Sequence, residues 1–360
     1  MSRKLSRRFF FYILWVACLG FFIFSSAALG LLARDGASVS HVLGKQFLIL
    51  VAAVIIMMVV AKIDYHVWRQ SAAILFGVAL VLTLLVLIPG LGFQAGGARR
   101  WLSLGSYTFQ PTEILKLGFI FFLSAFLAKN QQRLTDWRYG LLPFLICTIL
   151  VGSIVLSQPD IGTFSVIAAS GGAILLVSGI RWRQILLTIL IGIIGLSVFI
   201  SLKPYARERV ETFLNPEVGH LDSSYQINQS LIAIGSGGLF GRGFGQSVQK
   251  FYFLPEPIGD SIFAVAGEEF GFLGSLVIIS AFLIFGLWGL SVAARAPDLF
   301  GRLVATGLTI LIVSGAFANI ASMVGLIPLT GIPLIFISHG GSALLLALIE
   351  CGIMLNIYRQ

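Results

Sequence analysis

Long apolar runs separated by short polar turns dominate the 360-residue chain. A bilayer core takes about 20 apolar residues per helix. Ten runs reach or approach that length: 9–32, 46–61, 71–90, 113–128, 139–157, 161–180, 184–202, 261–290, 303–327 and 340–357. Runs 46–61 and 113–128 are short and must borrow flanking residues or tilt. The first run follows Arg3, Lys4, Arg7 and Arg8, as a signal peptide would. Its apolar stretch is too long for a signal-peptide core and more spans follow, so it reads as an uncleaved anchor. The pattern predicts an all-α integral membrane protein of ten transmembrane helices, forming one polytopic domain over 1–360.

Two polar stretches, 91–112 and 203–260, are longer than a turn needs, and long loops in compact proteins usually have a task. In the second, KPYARERVETFLNP puts Val210, Phe213 and Leu214 at helical spacing beside charges, which predicts a short interfacial helix. SSYQINQSLIAIGSGGLFGRGFG then offers a Ser N-cap, an amphipathic turn or two, and six glycines between Gly235 and Gly245. Such glycines permit positive φ and let a ligand approach the backbone. The chain shows no convincing internal repeat, which counts against an inverted-repeat transporter.

Composition sharpens the class. Hydrophobic residues make up 58% of the chain and charged residues 11%, against roughly 25% charged in soluble domains. Too little polar side chain is present to cover a soluble globule, so a soluble enzyme, a coiled coil and a disordered regulator are excluded. Cys18, Cys147 and Cys351 lie inside apolar runs and suggest neither a disulfide framework nor a metal site. The net charge of +9 does not indicate nucleic acid, because the bases are spread between apolar segments. With the N-terminus inside, cytoplasmic segments gather Arg3, Lys4, Arg7, Arg8, Lys62, Arg69, Lys129, Arg133, Arg138, Arg181, Arg183, Arg295, Arg302 and Arg359 against Asp64, Asp136 and Asp298. The opposite side is almost neutral. This asymmetry predicts N-in and C-in, with the large loop 203–260 outside between spans 7 and 8.

Ionisable groups in or beside apolar spans are costly and call for a role. Glu113 and Lys116 share a helix face, as an ion pair or as cavity residues. Asp160, after Pro159, reads as a helix N-cap or a site residue. Glu268 and Glu269 fall inside the eighth span, where a structural hydrogen bond and catalysis are both open. Asp260 ends the long loop and opens the eighth span, either as an N-cap or as a chemically active carboxylate. Arg99, Arg100, Arg242 and Lys250, joined by Lys116 if the helices converge, form an outer basic set suited to a phosphate-bearing lipid. His339, without a second His or Cys nearby, is a loop hydrogen-bonder rather than a metal ligand.

GGARRWLSLGSYTFQPTEILK, LSQPDIGT, YQINQSLIAIGSGGLFGRGFGQSVQKFYFLPEPIGDSIFAVAGEEFGFLG and PLTGIPLIFISHGGSALL closely resemble the SEDS family of bacterial cell-wall synthases. The resemblance covers essentially the whole chain. GGARRW and SVQKFYFLPE are more similar to the family's division branch than to its elongation branch. The resemblance implies a peptidoglycan glycosyltransferase that polymerises lipid II on the outer face of the cytoplasmic membrane, acting in septal synthesis. It also implies a class B penicillin-binding protein and other divisome membrane proteins as partners. The family's essential aspartate maps onto Asp260. Its cavity residues map onto Arg99, Arg100, Trp101, Glu113 and Lys116, with Asp160 and Ser338 from two further motifs. Three positions depart from the family pattern: Ser261 stands for phenylalanine, Ile335 for proline and His339 for tyrosine.

A lipid pyrophosphate leaves as a stable anion, so the second, proton-donating carboxylate of a glycosidase is dispensable. Asp260 is expected to deprotonate the acceptor hydroxyl, while Arg99, Arg100, Lys116 and the loop bases Arg242 and Lys250 stabilise the pyrophosphate. No tightly bound cofactor is implied, and the chemistry leaves room for a divalent cation, magnesium or manganese. Two other readings stand beside this one. A lipid II flippase would need alternating access instead of an outer-face base, and a non-catalytic scaffold would need neither base nor cations.

Overall fold

A computed structural model of the chain describes residues 2–33, 39–95, 98–104, 107–214 and 221–360. Every apolar run is a helix: α1 (Ser2–Ala28), α2 (Val39–Val60), α3 (His66–Leu85), α4 (Pro111–Lys129), α5 (Leu141–Ser157), α6 (Ile161–Val177), α7 (Trp182–Leu202), α11 (Ile262–Ala294), α12 (Leu299–Met323) and α13 (Gly341–Arg359). The helices α8 (Pro204–Leu214), α9 (Leu221–Ser236) and α10 (Gln249–Tyr252) lie between α7 and α11. Eight helices are long and apolar enough to cross a membrane, while α5 and α6 are shorter, at 17 residues each. The weak spans are therefore the fifth and sixth rather than the second and fourth. Run 46–61 extends back to Val39, across Lys45 and Gln46, to give α2 its 22 residues.

The polar segment 91–112 departs from the all-α expectation. It forms a three-stranded antiparallel sheet of β1 (Gly92–Ala95), β2 (Ala98–Leu104) and β3 (Tyr107–Phe109), in the order β1-β2-β3. Phe93 pairs with Trp101, Leu102 with Phe109, and a register irregularity falls between Phe93 and Gln94. Gly96 and Gly97 of the GGARRW motif lie outside the described residues, as do Asn215 and Pro216 at the end of the predicted interfacial helix. That helix is present as α8. The next helix starts at Leu221, so Ser223 and Ser224 lie within α9 rather than capping it.

The glycine-rich stretch packs its backbone against the backbone of α11. α11 is broken at Gly271, with φ 65° and ψ −161°. A break in a helix leaves carbonyls and N–H groups without their partners four residues away. The loop supplies them: Arg242 N–H donates to Glu268 O (3.0 Å) and Gly243 N–H to Glu269 O (2.9 Å). In return Phe272 N–H donates to Gly238 O (2.9 Å) and Leu273 N–H to Leu239 O (3.2 Å). Backbone meets backbone so closely that a Cβ on Gly241, at φ +81°, would lie 2.1 Å from Glu269 O.

The two acids beside the break complete this join. Glu268, fully buried, accepts from Ser247 Oγ (2.6 Å), Val248 N–H (3.1 Å) and Gln249 N–H (3.2 Å), so it caps the short α10. Glu269 accepts from Ser26 Oγ of α1 (2.7 Å) and pairs with Lys250 Nζ at 2.6 Å. Hydrogen bonding thus accounts for both glutamates, and the loop is fixed to α1 and α11 at once.

Candidate functional site

Four segments meet at Asp260. The residue sits one position before the N-cap of α11, which is Ser261, and Ser261 makes no side-chain capping bond. Asp260 is therefore not held as an N-cap, and its carboxylate is free of that duty. Its backbone is fixed instead: Asn319 Nδ2 of α12 donates to Asp260 O and to Ile332 O, both at 2.8 Å. Ser338 Oγ donates to Gly259 O (2.7 Å) and accepts from Leu334 N–H (2.8 Å). His339 N–H donates to Ile258 O (2.7 Å), and the His339 ring stacks on Phe24. The segment joining α12 to α13 is thus fastened along residues 258–260. Ser338 acts on the aspartate through the backbone, while His339 belongs to the loop, as its isolation in the sequence suggests.

The charges around the Asp260 carboxylate are Glu256, Arg100, Asp160 and Arg209. Burial, reinforced by Glu256, pushes its pKa up to about 6, and Arg100 and Arg209 only partly offset this. Desolvation outweighs the two cations. A carboxylate of this kind is a stronger base than an exposed aspartate while still ionised at neutral pH.

Arg100 is placed by strand geometry. Phe93 pairs with Trp101 and Gln94 with Arg99, so Arg100 is the extra residue of a β-bulge, a feature that re-aims a side chain. Its guanidinium donates to Gln158 O (3.1 Å) and Pro159 O (2.5 Å) and lies 3.8 Å from Asp160 Oδ2. Asp160 also caps α6, accepting from Thr163 N–H at 3.1 Å. Asp160 is thus a structural cap on one oxygen and an arginine partner on the other. Arg99 is exposed and Trp101 half-buried, away from this contact.

Arg209 and Tyr205, on α8, were not singled out in the sequence. Arg209 Nη1 donates to Leu329 O (2.6 Å), and its guanidinium lies 4.7 Å from the Tyr205 ring centre. A Cβ built on Gly331 would find Asp260 Oδ2 at 3.8 Å and Arg209 Nη2 at 3.9 Å, so aspartate and arginine face the same small space. The Tyr205 hydroxyl is buried close to Arg100. Burial raises its pKa, against the pull of Arg209 and Arg100. The amphipathic pattern of 203–214 announced a helix but not which of its arginines turns inward.

Deeper in the bundle, Lys116 Nζ and Glu113 Oε2 form the i,i+3 ion pair at 2.8 Å, almost out of solvent. Lys116 also interacts electrostatically with Asp160 and with Glu350 of α13. Glu350 escaped the sequence reading, although a lone acid in an apolar run is itself a signal. Lys250 is completely buried on Glu269, and Arg242 lies 3.4 Å from Glu268. The outer basic set is therefore not one cluster. Arg100 stands at Asp260, Lys116 lies behind it, Arg99 is exposed, and Arg242 and Lys250 hold the glycine-rich loop. Among the described residues no three His, Cys, Asp or Glu side chains gather into a metal site.

Comparison with known proteins gives this arrangement relatives. A family model described as "Cell cycle protein", covering FtsW, RodA and SpoVE, matches residues 7–360. Stage V sporulation protein E of Bacillus subtilis is 42% identical over 88% of this chain and 86% of its own length. A probable peptidoglycan glycosyltransferase FtsW of Geobacter sp. is 36% identical over 95% and 93%. Among solved structures, a chain of a peptidoglycan synthase complex superposes with a TM-score of 0.80 at 27% identity, covering 98% of this chain and 96% of that one. Rod shape determining protein RodA of Thermus thermophilus superposes with a TM-score of 0.71 at 26% identity, covering 98% and 95%. The match extends over nearly the whole length on both sides, and the chain is a multi-pass membrane protein of the FtsW/RodA/SpoVE family.

Proposed function

We propose that the chain is a peptidoglycan glycosyltransferase that polymerises lipid II, with Asp260 as general base. The observation that carries this reading is the Asp260 carboxylate itself: uncapped, raised in pKa and faced by Arg100 and Arg209. Relatives named as peptidoglycan glycosyltransferases support the reaction class. In the proposed step the acceptor sugar hydroxyl gives its proton to Asp260, and its oxygen bonds to the anomeric carbon of the donor chain. The bond from that carbon to the lipid pyrophosphate breaks, and the pyrophosphate leaves with the bonding pair. Arg100 and Arg209 stabilise the departing charge, with Lys116 behind them. Asp260 then releases its proton to water.

The site is assigned to the outer side of the bacterial cytoplasmic membrane, in a ten-span topology with both termini inside, on the strength of the charge asymmetry. A class B penicillin-binding protein is the proposed partner, supported by the similar chain from a complex that coordinates polymerization and crosslinking. Septal synthesis is the proposed setting, with other divisome membrane proteins. The 42% identity to a sporulation protein supports spore-wall synthesis as a second setting for the same chemistry. The test is polymerisation of lipid II by the purified protein with its partner, comparing wild type with Asp260→Asn. Glycan from wild type alone is expected. Glycan from both would remove Asp260 from the chemistry, and glycan from neither would favour a flippase or scaffold.

A further inference from the structure

Glu350 is an acid near the middle of a membrane-spanning helix, only 3% exposed, and the chemistry above does not use it. Its direction follows from its neighbours. Two residues on, α13 presses against α2: a Cβ on Gly352 would lie 2.7 Å from Met57 O. At 100° per residue, Glu350 points about 200° away from that contact, into the bundle. The same argument holds on α4. Gly118 presses against α3, where a Cβ would meet the Phe76 backbone at 3.0 Å. Lys116, two residues earlier, therefore points away from α3. Helices α4 and α13 pack on each other, so both side chains turn into the space between them.

Lys116 lies five residues into α4 and Glu350 nine residues into α13. At 1.5 Å per residue their distances from their own helix starts differ by about 6 Å, and helical Cβ bonds tilt each side chain toward that start. Among the described residues, the charges that act on Glu350 are Lys116 and Glu113. Lys116 is in ion-pair contact with Glu113 on its own helix at 2.8 Å and feels Glu350 across the interface and Asp160 toward the site over longer distances.

We propose that Glu350 is a positioning residue for Lys116, holding its ammonium from across the α4–α13 interface in the place where it receives the lipid pyrophosphate. This rests on the transferase reading for the ligand, but not for the contact between the two helices. An ammonium held by one carboxylate on its own helix can swing about that helix, whereas a second carboxylate on a facing helix fixes it in the cavity. It also ties the substrate cation to α13, which follows the segment fastened by Ser338 to Gly259, the neighbour of Asp260.

The experiment measures binding and turnover of lipid II by Glu350→Gln, Lys116→Met and the double variant, in complex with the penicillin-binding protein. Gln keeps the volume and removes the charge, and Lys116 keeps Glu113 as its ion-pair partner at 2.8 Å, so no buried cation is left uncompensated. Glu350→Gln is expected to weaken lipid II binding about 10-fold, with melting temperature unchanged. In the Lys116→Met background it should add nothing, because the cation it positions is gone. Glu350→Asp, which keeps the charge, should bind better than Glu350→Gln, so an unfolded Gln variant still leaves a reading. Wild-type binding by Glu350→Gln, losses that multiply in the double variant, or Asp binding no better than Gln would each overturn the proposal. Binding is read without turnover, so a wild type that binds lipid II but makes no glycan would instead refute the transferase reading.

Discussion

At Asp260 the informative facts are a missing bond and a surplus of burial. An aspartate at the start of a helix would ordinarily cap it, and a capping carboxylate is held acidic by the N–H groups it accepts. Here Ser261 takes the cap position, and desolvation with Glu256 raises Asp260 to about 6. The sign of the pH effect follows. A general base works only when ionised, so kcat/KM should fall about tenfold per pH unit below 6 and level off above it, measured as initial polymerisation rates across pH 4.5–8. Glu256→Gln removes the like charge and should move that inflection to lower pH. Asp260→Asn should lower turnover by about 10²- to 10⁴-fold while lipid II binding survives, because a positioned base contributes on that scale. Loss of binding in step with turnover would make Asp260 a headgroup ligand instead. The position of Asp260 was readable from the sequence, but its state was not, since burial and the approach of Glu256 depend on how residues 256–260 fold back.

Among the elements, α8 and the glycine-rich loop show how a pattern announces an element without saying which of its residues packs against what. The spacing of Val210, Phe213 and Leu214 predicts α8, but only packing selects Arg209 over Arg207, which pairs with Glu211 in the open. Arg209 uses one end of its fork on Leu329 O and turns the other toward Asp260. A lysine has a single point of charge and cannot do both. Arg209→Lys should therefore lose activity by about 10-fold or more while the protein stays folded, and unchanged kinetics would take Arg209 out of the site. The glycines differ among themselves in the same way. Gly241→Ala drives a Cβ into the α11 backbone at positive φ, whereas Gly235→Ala meets nothing within 4 Å. The first should lower the melting temperature sharply and the second should leave it unchanged. Sequence reading could not separate these two glycines, because the difference lies in the break at Gly271.

For the whole molecule, the apolar runs located every long helix, since hydrocarbon thickness leaves little freedom in their length. The sheet at 92–109 was missed, because its strands are short and their polar turns resemble any outer loop. The number of crossings turns on α5 and α6, whose 17 residues span about 26 Å against a hydrocarbon core of about 30 Å. Their connecting turn carries Gln158, Pro159 and Asp160, and these meet Arg100 of the sheet and the field of Asp260. α5 runs from the 130–140 turn to this one and α6 runs back from it, and counting both as crossings gives the proposed ten. The orientation can be tested with single cysteines, since the three native ones all sit within apolar helices. A cysteine at Phe240, which is 76% exposed, should react with an impermeant maleimide added to intact cells. One at Gln131 should react only after lysis. Labelling of Gln131→Cys from outside, with Phe240→Cys protected, would invert the molecule and put Asp260 on the side where a cell-wall polymerase has no acceptor strand.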